Sequence, residues 1–293
     1  MPPSTPQDND FLHINTPLLT SADCEGAGEA FSVYSPTAPK DDPFFRAYRV
    51  PRFAPFVRDL ESLTNRSLDR FHPAPPGANL TVSSQLHLEL YLPTHPRVYT
   101  LSPAFRAEMG ISRRHLAEFW MLEAEVAFVS TVHEVMDLCE ENVKSVLRSL
   151  VANDGAPLGI FAGREPVRTR IDRAIGTSDD QGWMRLSYTE AIEILERHQA
   201  ALDVKPFGTD PAWGLSISAE QEKYLAGEYA KGPVFVYDYP SEMKPFYMLP
   251  TPGAETGDRR TVACFDLLVP GVGELAGGSL REHRLQELVE TIK

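Results

Sequence analysis

The sequence predicts an α+β fold, with mostly antiparallel strands mixed with helices. Three observations point there. Two apolar runs flank a polar loop between residues 98 and 128, the pattern of a long hairpin. Residues 131 to 150 place Val132, Val135, Cys139, Val143, Val146 and Leu150 at helical spacing behind a Thr131–Glu134 capping pair. Apolar runs at 233 to 239, 244 to 249 and 261 to 269 read as three further strands.

The remaining elements follow in order. Residues 1 to 10 read as disordered, and 11 to 20 as extended, because Pro17 bars a helix interior. A small-residue turn, CEGAGE, precedes a short strand within 24 to 34. The segment from 35 to 78 is rich in Pro and Arg and reads as an insertion. From 79 to 92, β-branched residues give way to a helical turn. Residues 151 to 182 are polar and irregular, and Ser187 to Arg197 reads as a short helix. Ser218 to Lys231 is another helix, capped by Ser218 and Gln221 and stopped by Gly232. A last helix is predicted over 280 to 293.

The 293 residues suffice for one large domain or two small ones. Their apolar fraction, 42%, is ordinary for a globular protein, and no run is long enough to span a bilayer. The N-terminus shows neither a secretory nor a transit pattern. Cys24, Cys139 and Cys264 are odd in number and far apart, which suggests reduced thiols. The histidines show no ligand spacing, so no structural zinc is expected. A net charge of −13 argues against nonspecific coating of nucleic acid but leaves room for a local basic patch. The candidate patch holds Arg46, Arg49, Arg52, Arg58, Arg66 and Arg70, although a solvated insertion explains it more simply.

The hairpin loop carries the chemistry. Arg106, Arg113, Arg114 and His115 offer donors to phosphate oxygens, and Glu108 can accept from an amine such as that of adenine. A solvated hairpin loop explains the polarity but not the wording. F-R-A-E, a short loop, R-H-L and then E-F-W-M-L-E-A-E resemble motif 2 of the class II aminoacyl-tRNA synthetases, and within them the asparaginyl family. CEGAGE, TVSSQLHLE, DYPSEMKPFYM and ACFDLLVPGVGELAGGSLREHRL carry the same resemblance, the last of them to the organellar branch. It covers roughly residues 11 to 34 and 79 to 288.

The resemblance implies a class II antiparallel sheet flanked by helices. It implies that Arg106 holds the α-phosphate and the amino-acid carboxylate, that Glu108 reads adenine, and that Arg114 and His115 lie near the outer phosphates. Glu25, Gln85, Glu118 and Arg281 would face the amino acid, with Lys244 and Tyr247 as lining residues. Glu274 would hold Mg²⁺, with Asp266 as a further outer ligand or merely a core or cap residue. Glu123 and Glu125 share a strand face that excludes Glu118, and neither receives a role. Gly271-Val-Gly273-Glu-Leu-Ala276 mimics a dinucleotide fingerprint, but no second strand follows to complete that unit. Aspartyl relatives usually carry proline and lysine where this chain has Ser84 and Leu88, which favours a neutral amide over a carboxylate as substrate.

The implied reaction is ATP-dependent activation of asparagine and transfer to tRNA(Asn), in mitochondria or cytoplasm, with no membrane. Against the family, these residues are expected to lack an anticodon-binding barrel, the motif 1 helix and the motif 3 strand and helix. A partial catalytic domain over 11 to 293 is therefore expected, with impaired charging and a weakened homodimer. An exposed apolar edge from Val262 to Val269 is expected too. Two other functions stay open: a non-catalytic paralogue that binds an amino acid or a protein, and an asparagine synthetase-like ligase that amidates aspartate.

Overall fold

The computed structural model describes residues 10–20, 30–33, 78–107, 116–152, 171, 174, 182–202, 205–254 and 257–292. They fall into two compact units, one within Pro6–Phe128 and one within Val129–Thr291.

In the first unit, β1 (Leu12–His13) lies parallel to β5 (Arg97–Phe105), which pairs antiparallel with β6 (Glu118–Val126). A second small sheet sets β4 (Ala78–Leu80) between β2 (Leu19–Thr20) and β3 (Ser32–Val33). The chain then turns into the short helix α1 (Gln85–Glu89). The hairpin register pairs Thr100 with Glu123 and Phe105 with Glu118. Strand alternation then decides burial. Val98, Thr100, Ser102 and Ala104 are buried on one face, while Leu101, Trp120 and Leu122 are exposed on the other.

The second unit opens with α2 (Val132–Ala152). Its first turn is capped as the sequence predicts, the Glu134 carboxylate accepting from the N–H groups of Ser130 and Thr131 at 3.0 and 2.9 Å. A four-stranded sheet follows in the order β10-β9-β8-β7, from β7 (Met184–Ser187), β8 (Val234–Pro240), β9 (Thr261–Val269) and β10 (Gly273–Ser279). It is antiparallel except where β7 runs parallel to β8. Between them lie α3 (Tyr188–Ala200) and α4 (Ala219–Tyr224), both opened by capping boxes, Ser187 with Glu190 and Ser218 with Gln221. One π turn, Leu225–Tyr229, extends α4. The terminal helix is α5 (Leu285–Ile292).

Both faces of this sheet are covered. Val234, Val236, Val262, Cys264 and Leu268 pack with Tyr188, Ile192 and Leu195 of α3. Phe235, Ala263, Phe265 and Leu267 pack with Val132 and Met136 of α2. This two-sided burial is why residues 261–269 read as a near-continuous apolar run. It also corrects the expected exposed edge: β9 is an inner strand of the sheet, and it is largely buried.

Two other expectations are corrected. Residues 244 to 249 do not form a strand; a 3₁₀ turn at Ser241–Met243 leads into isolated bridges from Met248 to Arg281 and from Pro250 to Val262. The start of the predicted last helix is also wrong, because Arg281 lies in extended backbone and α5 begins at Leu285.

β10 has a close approach near its C-terminal end. Gly278 pairs with Phe265, and a Cβ there would stand 2.6 Å from the Phe265 ring. Only glycine lets β10 lie against that ring.

Candidate functional site

The first unit assembles a polar corner around Gln85. Strand β4 delivers the chain into Thr81–Ser84, whose hydroxyls organise the turn before α1. Thr81 Oγ1 donates to the Ser83 carbonyl at 2.7 Å, and Ser83 Oγ accepts the Gln85 N–H at 3.1 Å. Ser84 Oγ is hydrogen-bonded to Thr16 at 2.8 Å and to Ser102 of β5 at 3.3 Å. Gln85 is 7% exposed, and its amide donates to Glu89 Oε1 at 3.0 Å. A residue held by both its backbone N–H and its side-chain amide has little freedom left to lose on binding a ligand.

Glu123 of β6 locks this corner. Its carboxylate accepts from the Ser83 hydroxyl in a short hydrogen bond, and from the Ser84 N–H at 3.0 and 2.8 Å. A carboxylate that accepts several hydrogen bonds is a rigid acceptor suited to an ammonium. No role was read for Glu123 in the sequence, since its partners lie 39 and 40 residues away.

Arg106 follows the last residue of β5. Its N–H donates to the Ala117 carbonyl at 3.1 Å, and its guanidinium lies over the Phe119 ring at 5.5 Å. The stack fixes the plane of the guanidinium fork. By strand parity Phe119 and Glu123 share a face of β6, so the ring under Arg106 and the carboxylate at the Gln85 turn belong to one side of the hairpin. Glu118 begins β6, is exposed, and has the opposite parity. Within this unit the structure brings Gln85 and Glu123 together and does not join Glu118 to them. Glu25, Glu108, Arg114 and His115 lie outside the described residues.

The second unit holds a charged cluster on the α3-facing side of its sheet. Asp266 of β9 accepts from Lys244 Nζ at both of its oxygens, at 3.0 and 2.9 Å, and is also hydrogen-bonded to the Tyr239 phenol. The Lys244 and Asp266 side chains are only 18% and 16% exposed. Lys244 Nζ also lies 4.0 Å from the centre of the Tyr239 ring. Burial opposes the charge on Lys244, but the carboxylates of Asp266 and Glu274 overcome it and hold the ammonium above its usual range. Burial also pushes the Tyr239 phenol well up, with Asp266 adding to the effect.

Glu274 reaches this cluster through a β-bulge. The register slips between Glu274 and Ala276, which leaves Leu275 as the extra residue. Glu274 then pairs with Leu268, and Gly277 pairs with Asp266. The bulge therefore places Glu274 and Gly277, three residues apart, on the same face. A Cβ at Gly277 would stand 3.4 Å from Asp266 Oδ1 and 3.4 Å from Glu274 Oε1. The missing side chain leaves a small space bordered by two carboxylates. Hard oxygen donors around such a space fit a divalent cation of the Mg²⁺ type. Arg281 lies over the Tyr247 ring at 5.1 Å, and its Nη1 donates to Ser279.

The two described thiols offer no nucleophile. Burial pushes both Cys139 and Cys264 up to about 12, far from nucleophilic thiolates.

Comparison with known proteins supplies the family. Residues 4–293 match the family described as tRNA synthetases class II (D, K and N), and the chain belongs to it. Two similar relatives within that family carry asparagine names. The chain is 38% identical over 303 residues to the mitochondrial asparagine–tRNA ligase of Saccharomyces cerevisiae, covering 98% of this chain and 54% of that protein. It is 40% identical to the asparaginyl-tRNA synthetase of Mus musculus, covering 98% of this chain and 52% of that one. Among solved structures, the asparaginyl-tRNA synthetase of Pyrococcus horikoshii complexed with asparaginyl-adenylate superposes with a TM-score of 0.70 at 27% identity. That match covers 98% of this chain and 52% of the archaeal one. The chain spans about half the length of the relatives it matches.

Proposed function

We propose that the chain takes part in asparagine–tRNA ligation, activating asparagine with ATP and passing it to tRNA(Asn). The observation that carries this reading is the Gln85 corner. It offers a neutral amide and a locked carboxylate, and Leu88, where aspartyl relatives usually carry lysine, is 0% exposed. No cation stands at that position to pair with a substrate carboxylate.

The chemistry needs no covalent enzyme intermediate. The asparagine carboxylate attacks the α-phosphorus of ATP, which breaks the bond to pyrophosphate and forms asparaginyl-adenylate. The tRNA terminal ribose hydroxyl then attacks the adenylate carbonyl, and AMP leaves. Arg106 neutralises charge on the α-phosphate and the carboxylate, while Glu108, Arg114 and His115 hold the adenine and outer phosphates. Gln85 and Glu25 hold the amino acid, with Glu123 beside Gln85 as the natural acceptor for its ammonium. Arg281 takes the side-chain oxygen, and Glu118 is kept near that side chain.

Asp266 and Glu274 would hold Mg²⁺, which would supply positive charge to offset that of the ATP phosphates. A mitochondrial setting is favoured by the yeast relative. No described helix is long and apolar enough to cross a membrane. A homodimer is the family's usual assembly and is part of the proposal.

The test is calorimetric titration of the full chain with a non-hydrolysable asparaginyl-adenylate analogue. Micromolar or tighter binding supports the reading. Absence of binding, with the protein folded by circular dichroism, overturns it.

A further inference from the structure

The Lys244–Asp266 pair has a consequence for cation binding. Each Asp266 oxygen accepts from one ammonium, at 3.0 and 2.9 Å, in a site where each of the two side chains is less than a fifth exposed. The same carboxylate borders the space beside Gly277 together with Glu274. A divalent cation in that space and the Lys244 ammonium compete for one set of oxygens. Two cations on one carboxylate repel each other strongly where solvent is sparse.

The ammonium already has a second partner. The Tyr239 ring lies 4.0 Å from Nζ, and a ring face attracts an ammonium after its carboxylate is withdrawn. Lys244 also precedes Pro245, beside the 3₁₀ turn Ser241–Met243 and outside the sheet, so its side chain can shift without breaking a strand.

We propose that Lys244 is an internal counter-ion that a divalent cation displaces from Asp266, so that cation binding releases the ammonium toward the Tyr239 ring and solvent. Lys244 is in this account a positioning residue, acting on the cation through Asp266. The inference rests on the cation reading of Asp266 and Glu274 given above.

Mn²⁺ is the probe, as a hard, oxygen-seeking and paramagnetic ion. Its binding to the full chain, to Lys244→Met and to Glu274→Gln is measured by electron paramagnetic resonance. In parallel, the unsubstituted chain is acylated with an amine-reactive ester with and without Mn²⁺, and peptide mass spectrometry compares Lys244 with the exposed Lys231. Removing a competing charge at this range is expected to tighten Mn²⁺ binding by about tenfold in Lys244→Met, and Mn²⁺ is expected to raise Lys244 acylation about threefold relative to Lys231. If Lys244→Met does not fold, the acylation arm decides alone.

Mn²⁺ that binds, is lost in Glu274→Gln, and leaves Lys244 acylation unchanged overturns the role of Lys244 while the cation reading stands. Lys244→Met binding no tighter than the unsubstituted chain overturns it as well. If neither protein binds Mn²⁺, both readings fall.

Discussion

The Glu123 carboxylate receives the Ser84 N–H at both of its oxygens, at 3.0 and 2.8 Å, and so ties the middle of β6 to the turn that presents Gln85. The same carboxylate takes the Ser83 hydroxyl. One side chain thereby fixes the position of the residue proposed to hold the amino acid.

Glu123→Ala is expected to leave the Ser84 N–H without its acceptor. Loss of a charge-assisted bond to a mostly buried donor costs roughly 2–3 kcal/mol of stability. Asparagine binding is expected to weaken by more than the stability loss alone explains, because Gln85 is no longer held. Thermal melting and calorimetric titration measure the two effects. A variant with a lowered melting temperature and unchanged asparagine affinity contradicts the arrangement.

Arg106→Ala is expected to weaken binding of the adenylate analogue by about 100-fold, the size of effect seen when one donor to developing charge is removed. Arg58→Ala, in the Pro- and Arg-rich segment, is expected to leave that binding unchanged. Equal losses in the two variants, measured by titration calorimetry, would point to general electrostatic attraction instead.

The legibility of the fold follows the range of the interactions. The helix Val132–Ala152 and the strands Arg97–Phe105 and Glu118–Val126 were readable because their patterns and caps are local. Strand Met184–Ser187 was missed because four residues beside a helix cap carry no period of their own. Strand Gly273–Ser279 was missed because a bulge and a run of small residues erase the alternation, and only pairing with Thr261–Val269 makes it a strand. The opposite error came at 244 to 249, where apolar content suggested a strand, but Lys244 serves Asp266 and Pro245 donates no backbone hydrogen bond. For the candidate site, residue types were legible and partners were not. Glu123 and Asp266 gain meaning only from Ser84 and Lys244, 39 and 22 residues away.

Gly278→Ala and Gly277→Ala are expected to differ sharply. The first drives a methyl to 2.6 Å from the Phe265 ring, inside a well-packed core. Overpacking of this kind costs about 1–3 kcal/mol. The second meets the Asp266 and Glu274 carboxylates at 3.4 Å and the Phe265 carbonyl at 3.7 Å, so the fold tolerates it while the cation space narrows. Differential scanning calorimetry is expected to show a clear drop for Gly278→Ala and little change for Gly277→Ala.

Asp238 gives a pH signature. It sits at the register shift in β8 with φ +58°, and burial holds its carboxyl above the usual carboxylate range, partly offset by the Thr251 hydroxyl at 3.0 Å. A carboxyl raised on folding destabilises the native state wherever it is ionised, and the penalty fades as pH falls through the raised value. Asp238→Asn is therefore expected to raise the melting temperature at pH 7.5, with the gain shrinking as acid protonates Asp238 in the unsubstituted protein. A gain that is constant from pH 7.5 to 4 would trace to backbone relief at the positive φ, not to charge.

The central claim is that the amino-acid corner selects a neutral side-chain amide. Parallel calorimetric titrations of the full chain with asparagine and with aspartate test it most directly. The account predicts that asparagine binds at least about tenfold more tightly, the scale set by one unmatched charge or hydrogen bond in a specific pocket. Aspartate binding as tightly as asparagine, or more tightly, would contradict it.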